Sequence, residues 1–116
     1  MKKWTLYHNP RCSKSREALA LLEQNNVSFQ IVEYIKESPS IEELRKLLKV
    51  LKMSPKNLVR AKDELYQSLK FDLESEETVL QNLSLHPSLI ERPILFNESS
   101  GIIARPPELV LDLIKD

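Results

Sequence analysis

Trp4-Thr5-Leu6-Tyr7 is a short apolar and aromatic run, and it predicts a first strand. Asn9-Pro10 breaks it. From Ser13 to Asn25 the period lengthens to that of a helix, with Ala18, Leu19, Leu21 and Leu22 on its apolar face and Asn25-Asn26 at its end. Phe29 to Tyr34 reads as a second strand. A strand, a helix and a strand so closely spaced predict a parallel pair joined by a right-handed crossover.

The middle of the chain is helical in pattern. Ser40-Ile41-Glu42-Glu43 is a capping box, with serine at the cap and glutamate three residues on. Ile41, Leu44, Leu47, Leu48 and Leu51 then mark one face. Ser54-Pro55 opens a short helix through Leu58 and Val59, and further helices are expected over Glu64–Leu69 and Ser75–Leu85, closed by His86-Pro87. Strands return at Pro93–Phe96 and Ile102–Ala104, joined by a turn from Asn97 to Gly101 with its glycine at the end. Pro106-Pro107 starts a last helix with Leu109, Val110, Leu113 and Ile114 on its apolar face. The order βαβ, helices, ββα is that of an α/β, thioredoxin-like (glutaredoxin-like) fold. It is read as a single domain over 1–116 with a helical insertion at about 38–87. Trp4, Phe29 and Phe96 are expected to fill its core, and Tyr7 to pack near the strand end.

Composition narrows the function classes. At 116 residues, 41% apolar and 29% charged, the chain is long enough for a hydrophobic core and too apolar for disorder. A formal net charge of zero argues against attachment to nucleic acid or an anionic membrane by net charge. No apolar run approaches the roughly 20 residues of a membrane span, and the opening residues lack a signal-peptide pattern. The one glycine, Gly101, excludes a glycine-rich phosphate loop. Two histidines and one cysteine, far apart, form no metal-ligand cluster, and His86 before Pro87 is expected to cap a helix rather than bind a ligand. A lone cysteine permits no internal disulfide, which fits a reducing cytoplasm.

That cysteine carries the candidate chemistry. Cys12 lies where the first helix begins, flanked by Arg11, Lys14 and Arg16. Unpaired backbone N–H groups and basic neighbours favour a thiolate, and a protonated His8 would add to the field. Such surroundings can lower a thiol from about 8.5 to roughly 3.5–7.5. Arg60, Arg92 and Arg105 each stand at the edge of a predicted element, and the last two abut prolines. The predicted topology brings the segment before the third strand, and so Arg92, toward Cys12. Guanidinium groups bind tetrahedral oxyanions through forked hydrogen bonds, so a thiolate among arginines suits attack on an anionic substrate. Thioredoxin-like folds carry a cis-proline facing the cysteine at this place, and Arg92-Pro93-Ile94 fits that slot.

These residues together resemble the glutaredoxin-linked arsenate reductase family of the bacterial ArsC type. The resemblance runs through Tyr7-His8-Asn9-Pro10-Arg11-Cys12-Ser13-Lys14-Ser15-Arg16, Leu58-Val59-Arg60, His86-Pro87, Glu91-Arg92-Pro93-Ile94 and Arg105-Pro106-Pro107-Glu108-Leu109-Val110-Leu111-Asp112. It implies Cys12 as nucleophile, His8 as a residue that depresses the cysteine pKa, and Ser15 as a hydroxyl that hydrogen-bonds the thiolate. It implies Arg60, Arg92 and Arg105 as the oxyanion ligands. It further implies no bound cofactor or metal, arsenate as substrate, and glutathione and glutaredoxin as external reductants. The thiolate would form a thioarsenate, glutathione would add at arsenic, and glutaredoxin would reduce the adduct. A chain with one cysteine needs an external thiol for any redox cycle. Arg11 and Lys14 make this loop more basic than is usual in the family. The rival readings are an Spx-like regulator of the same fold that binds RNA polymerase, and a monothiol glutaredoxin-like oxidoreductase. Ser15 stands where the regulator's switch has its second cysteine.

Overall fold

A computed structural model describes residues 3–114 of the chain. The fold divides into two compact units: one runs to Glu37 and resumes at Arg92, and the other is Ser38–Glu91.

In the first unit, β1 (Trp4–Tyr7), α1 (Ser13–Gln24) and β2 (Phe29–Val32) precede the second unit in sequence; β3 (Ile94–Phe96), β4 (Gly101–Ile103) and a last helix (Leu109–Ile114) follow it. The four-stranded sheet has the order β2-β1-β3-β4. β1 and β2 are parallel, with Leu6 opposite Ile31; β3 is antiparallel to both β1 and β4, with Leu95 opposite Leu6 on one side and Ile102 on the other. This is the thioredoxin-like arrangement. Leu6, Ala18, Leu22, Leu95, Ala104 and Val110 form the buried core. Trp4 and Phe29 pack against it half-buried, so these two aromatics form its rim rather than fill it. Phe96 is also half-buried and meets Tyr7 edge-on at 5.1 Å. Leu95→Ala is expected to cost about 2–5 kcal/mol, because the cavity adds to the lost transfer energy. Urea unfolding checks this, and a loss below about 1 kcal/mol would place Leu95 outside the core.

Several boundaries differ from the sequence pattern for local reasons. β2 stops at Val32, because the Glu33 carbonyl accepts from Lys36 N–H and Glu37 N–H, both at 2.9 Å, and the chain turns. Tyr34 therefore lies in a turn and is fully buried. The hairpin is shaped by Asn97 rather than by Gly101. The Asn97 Oδ1 accepts from Ser99 N–H at 2.9 Å and Ser100 N–H at 2.8 Å, and Gly101 has no positive φ. The last helix begins at Leu109 rather than at Pro106-Pro107. Leu109 and Val110 donate to the carbonyls of Pro106 and Pro107, both at 3.1 Å, so a tight turn comes first.

The second unit is helical. Its α2 (Ile41–Leu51) starts with the full capping box: Ser40 Oγ accepts from Glu43 N–H at 3.1 Å, and Ser40 N–H donates to Glu43 Oε1 at 2.9 Å. Leu44, Leu47, Leu48 and Leu51 are its buried face. A 3-10 turn (Pro55–Leu58), α3 (Glu64–Leu69) and α4 (Glu76–Leu85, capped by Ser75) follow; the Leu109–Ile114 helix of the first unit is then α5. His86 is the C-cap of α4, its N–H donating to Asn82 O at 2.7 Å. The chain does not close there: Pro87–Leu89 adds a further 3-10 turn, whose Leu89 carbonyl accepts from Arg60 N–H at 2.7 Å. Among the described residues no helix is long and apolar enough to cross a membrane.

Candidate active site

The segment between β1 and α1 is held by local backbone and side-chain hydrogen bonds. Cys12 N–H donates to the Asn9 carbonyl at 2.9 Å, Arg11 N–H to Asn9 Oδ1 at 3.0 Å, and Arg16 Nη1 to the Pro10 carbonyl at 2.8 Å. This leaves Cys12 as the N-cap of α1, in extended conformation, with its carbonyl accepting from Arg16 N–H at 3.0 Å. An N-cap side chain faces the unpaired N–H groups of the first turn. The first turn carries no acidic residue to compete for them. Lys14 pairs only loosely with Glu17, at 3.9 Å on the surface.

Arg92 reaches the same sulfur from the segment that leads into β3. Tyr7 pairs with Ile94, so the Arg92-Pro93 segment continues alongside the residues that follow β1. The Arg92–Pro93 peptide bond is cis, as the sequence slot suggested, and so is Arg105–Pro106, which it did not. Burial is the largest single influence on Cys12 and pushes its thiol up. The Ser15 N–H, the hydrogen bond and charge of Arg92, and the Lys14 N–H together outweigh it, so the thiol titrates below its ordinary value. Burial likewise works against the charge of Arg92, and the Cys12 sulfur with the Tyr34 hydroxyl more than offsets it, raising the Arg92 pKa.

One consequence is measurable without any substrate. The rate of Cys12 alkylation by iodoacetamide should follow a titration whose midpoint lies below that of a free thiol. Because the folded-state value is the lower one, stability from this group is full above the unfolded thiol's pKa and is lost as pH falls through the folded one. An alkylation midpoint at the free-thiol value would contradict the geometry.

His8 and Ser15 form a separate pair behind the cysteine. Both are buried, with His8 Nδ1 2.6 Å from Ser15 Oγ. Ser15 Oγ also accepts from Asn9 N–H at 3.0 Å, so one hydroxyl links the imidazole to the cysteine loop. Burial first, and then Arg16, lower the His8 pKa against the opposing pull of Glu33. At neutral pH the ring is therefore neutral and does not add the positive charge that a protonated His8 would bring. Ser15 acts on the thiol through its backbone N–H, while its hydroxyl is committed to His8 and Asn9.

The other two arginines stand differently. Arg105 is exposed and follows Ala104, whose N–H donates to the Pro93 carbonyl at 2.8 Å; its own N–H returns to Ile103 O at 3.0 Å. Its backbone thus leaves β4 at the end of the sheet where Arg92-Pro93 enters. Arg60 belongs to the helical unit, where its Nη1 holds Asp63 Oδ2 at 3.0 Å. The structure therefore assembles Cys12, Arg92, Ser15 and His8. Tyr34, whose hydroxyl favours the charge of Arg92, was missed by the sequence pattern because it reads there as one more strand aromatic. Among the described residues no cluster of histidine, cysteine, aspartate and glutamate could hold a metal ion.

Comparison with known proteins agrees with this picture. The pattern of the ArsC family matches residues 7–113. The chain is 44% identical to an arsenate reductase of Haemophilus influenzae over 112 residues, covering 94% of this chain and 97% of that protein. It is 43% identical over 116 residues to the uncharacterized protein YfgD of Escherichia coli K12, covering 97% and 98% of the two chains. Among solved structures, an arsenate reductase from Vibrio cholerae superposes with a TM-score of 0.91 at 40% identity, covering 97% of this chain and 98% of that one. On the strength of a match that takes in the cysteine loop, both cis-proline segments and nearly the whole fold, the chain belongs to the ArsC family.

Proposed function

We propose that this chain reduces arsenate to arsenite, with Cys12 as nucleophile and glutathione and glutaredoxin as the external reductants. The observation that carries this reading is the Arg92 guanidinium hydrogen-bonded to the Cys12 sulfur at the N-cap of α1. A free thiolate repels an oxyanion. A guanidinium and unpaired N–H groups around it offset that repulsion and stabilise the charge of the transition state. Membership of the ArsC family and the arsenate reductases among its relatives support arsenic as the central atom.

The thiolate attacks arsenic, and one arsenic–oxygen bond breaks, its oxygen leaving as water. Glutathione displaces a second oxygen in the same way, so arsenic, still pentavalent, holds two sulfurs. A glutaredoxin thiolate then attacks the glutathione sulfur. A disulfide forms, and the electron pair of the sulfur–arsenic bond passes to arsenic, which becomes trivalent. Hydrolysis releases arsenite and returns the Cys12 thiolate. Arsenic gains two electrons, and two external thiols become one disulfide. The chain has one cysteine and cannot supply the second thiol itself. Arg105 and Arg60 are carried in this proposal as further oxyanion ligands, His8 and Ser15 as the pair that fixes the cysteine loop, and the reducing cytoplasm as the working compartment.

The test is arsenate-dependent NADPH oxidation coupled through glutathione reductase, omitting arsenate, glutathione and glutaredoxin in turn. Loss of turnover with each omission is expected. Turnover on a glutathione mixed disulfide, with none on arsenate, would overturn the proposal in favour of a monothiol oxidoreductase.

A further inference from the structure

Tyr34 is fully buried in the turn after β2. Its ring stacks on Tyr7 with centroids 5.7 Å apart, and Tyr7 in turn meets Phe96 edge-on. Tyr7 is paired to Ile94, two positions after Arg92. The stack ties the end of β1 to the turn after β2, and Tyr34 and Arg92 each lie two positions beyond the paired row of Val32, Tyr7 and Ile94, at one end of the sheet. A buried phenol needs a polar partner, and the Tyr34 hydroxyl interacts with the Arg92 guanidinium. We propose that Tyr34 is a positioning residue for the thiolate site: its hydroxyl oxygen accepts from one N–H of Arg92 and fixes the plane of the guanidinium, so that another N–H meets the Cys12 sulfur.

The choice of residue suits that task. An arginine is a long side chain with five donors in a planar fork, and anchoring one edge orients the rest. A carboxylate in this place would anchor it as well but would compete with the thiolate and with an incoming oxyanion for its charge. A neutral phenol orients the guanidinium and leaves its charge to Cys12. The proposal deepens the reading of the Cys12 site, and its test uses no arsenate, so its failure and a failure of arsenate reduction are distinguishable.

Tyr34→Phe keeps the ring and removes only the oxygen. Alkylation of Cys12 by iodoacetamide, followed against pH, is compared in the wild type, Tyr34→Phe, Arg92→Gln and the double variant. Tyr34→Phe should move the midpoint to higher pH and slow alkylation at neutral pH by about 3- to 10-fold. In the Arg92→Gln background it should change nothing, since the effect runs through Arg92. An unchanged profile in the single variant, or an equal shift in both backgrounds, would overturn the proposal. A second measurement needs no folded variant: resolved guanidinium N–H signals of Arg92 in the NMR spectrum of the wild type are expected, and one rotationally averaged signal would overturn it.

Discussion

Cys12→Ser should reduce arsenate at the background rate while folding as well as the wild type. The loss is expected to be at least about 10³-fold, as for other enzymes deprived of their nucleophile. Serine keeps the size and position of the side chain but not its acidity. The N–H groups of Ser15 and Lys14 and the Arg92 guanidinium can hold a thiolate at neutral pH, whereas a hydroxyl remains protonated in the same surroundings. The fold is not at risk, because Cys12 occupies the N-cap of α1 without a close cap hydrogen bond, and serine is among the preferred residues there. Thermal unfolding should therefore show stability retained or raised by about 0.5–1 kcal/mol. A folded Cys12→Ser protein that still turned over would remove Cys12 from the chemistry.

Arg92→Gln is expected to lower kcat/KM for arsenate by roughly 10²–10³-fold, the scale of losing one preorganised donor to a developing oxyanion. Two effects combine. Without Arg92, a hydrogen bond and a charge that lower the Cys12 pKa are gone, so the thiolate fraction at neutral pH falls. The same substitution removes a guanidinium from the path of the substrate. The pH profile separates the two. Raising the pH restores the thiolate and recovers the first part of the loss, and the defect that persists at high pH measures the second. Arg92→Lys should recover part of the thiol effect and little of the rest, since an ammonium keeps the charge but not the fork. Equal rates for Arg92→Gln and wild type at all pH values would show that Arg92 serves neither role.

How far such a site can be read from sequence depends on whether its contacts are local. The capping box at Ser40 and Glu43 and the helix starting at Ser13 are local patterns, and both are present in the structure. Cys12 at the N-cap follows from the Asn9-Pro10 break, which is local too. Arg92 could be placed near Cys12 only through the topology, since the antiparallel pairing of β1 with β3 joins residues as far apart in the chain as Tyr7 and Ile94. The protonation of His8 was not legible. It depends first on burial, and then on the opposing charges of Glu33 and Arg16, which only the fold brings to bear on the ring. Tyr34 was not legible either, because strand and turn aromatics look alike until the carbonyl of Glu33 collects two N–H groups and bends the chain inward.

The most direct test of the account is to measure arsenite itself, by speciation, after incubating the wild-type protein with arsenate, glutathione and glutaredoxin. Arsenite should form in proportion to the amount of protein and stop when Cys12 is alkylated beforehand. A folded protein with a reactive, low-pKa Cys12 that formed no arsenite, or formed it equally after alkylation, would contradict the assignment of arsenate chemistry to this thiolate.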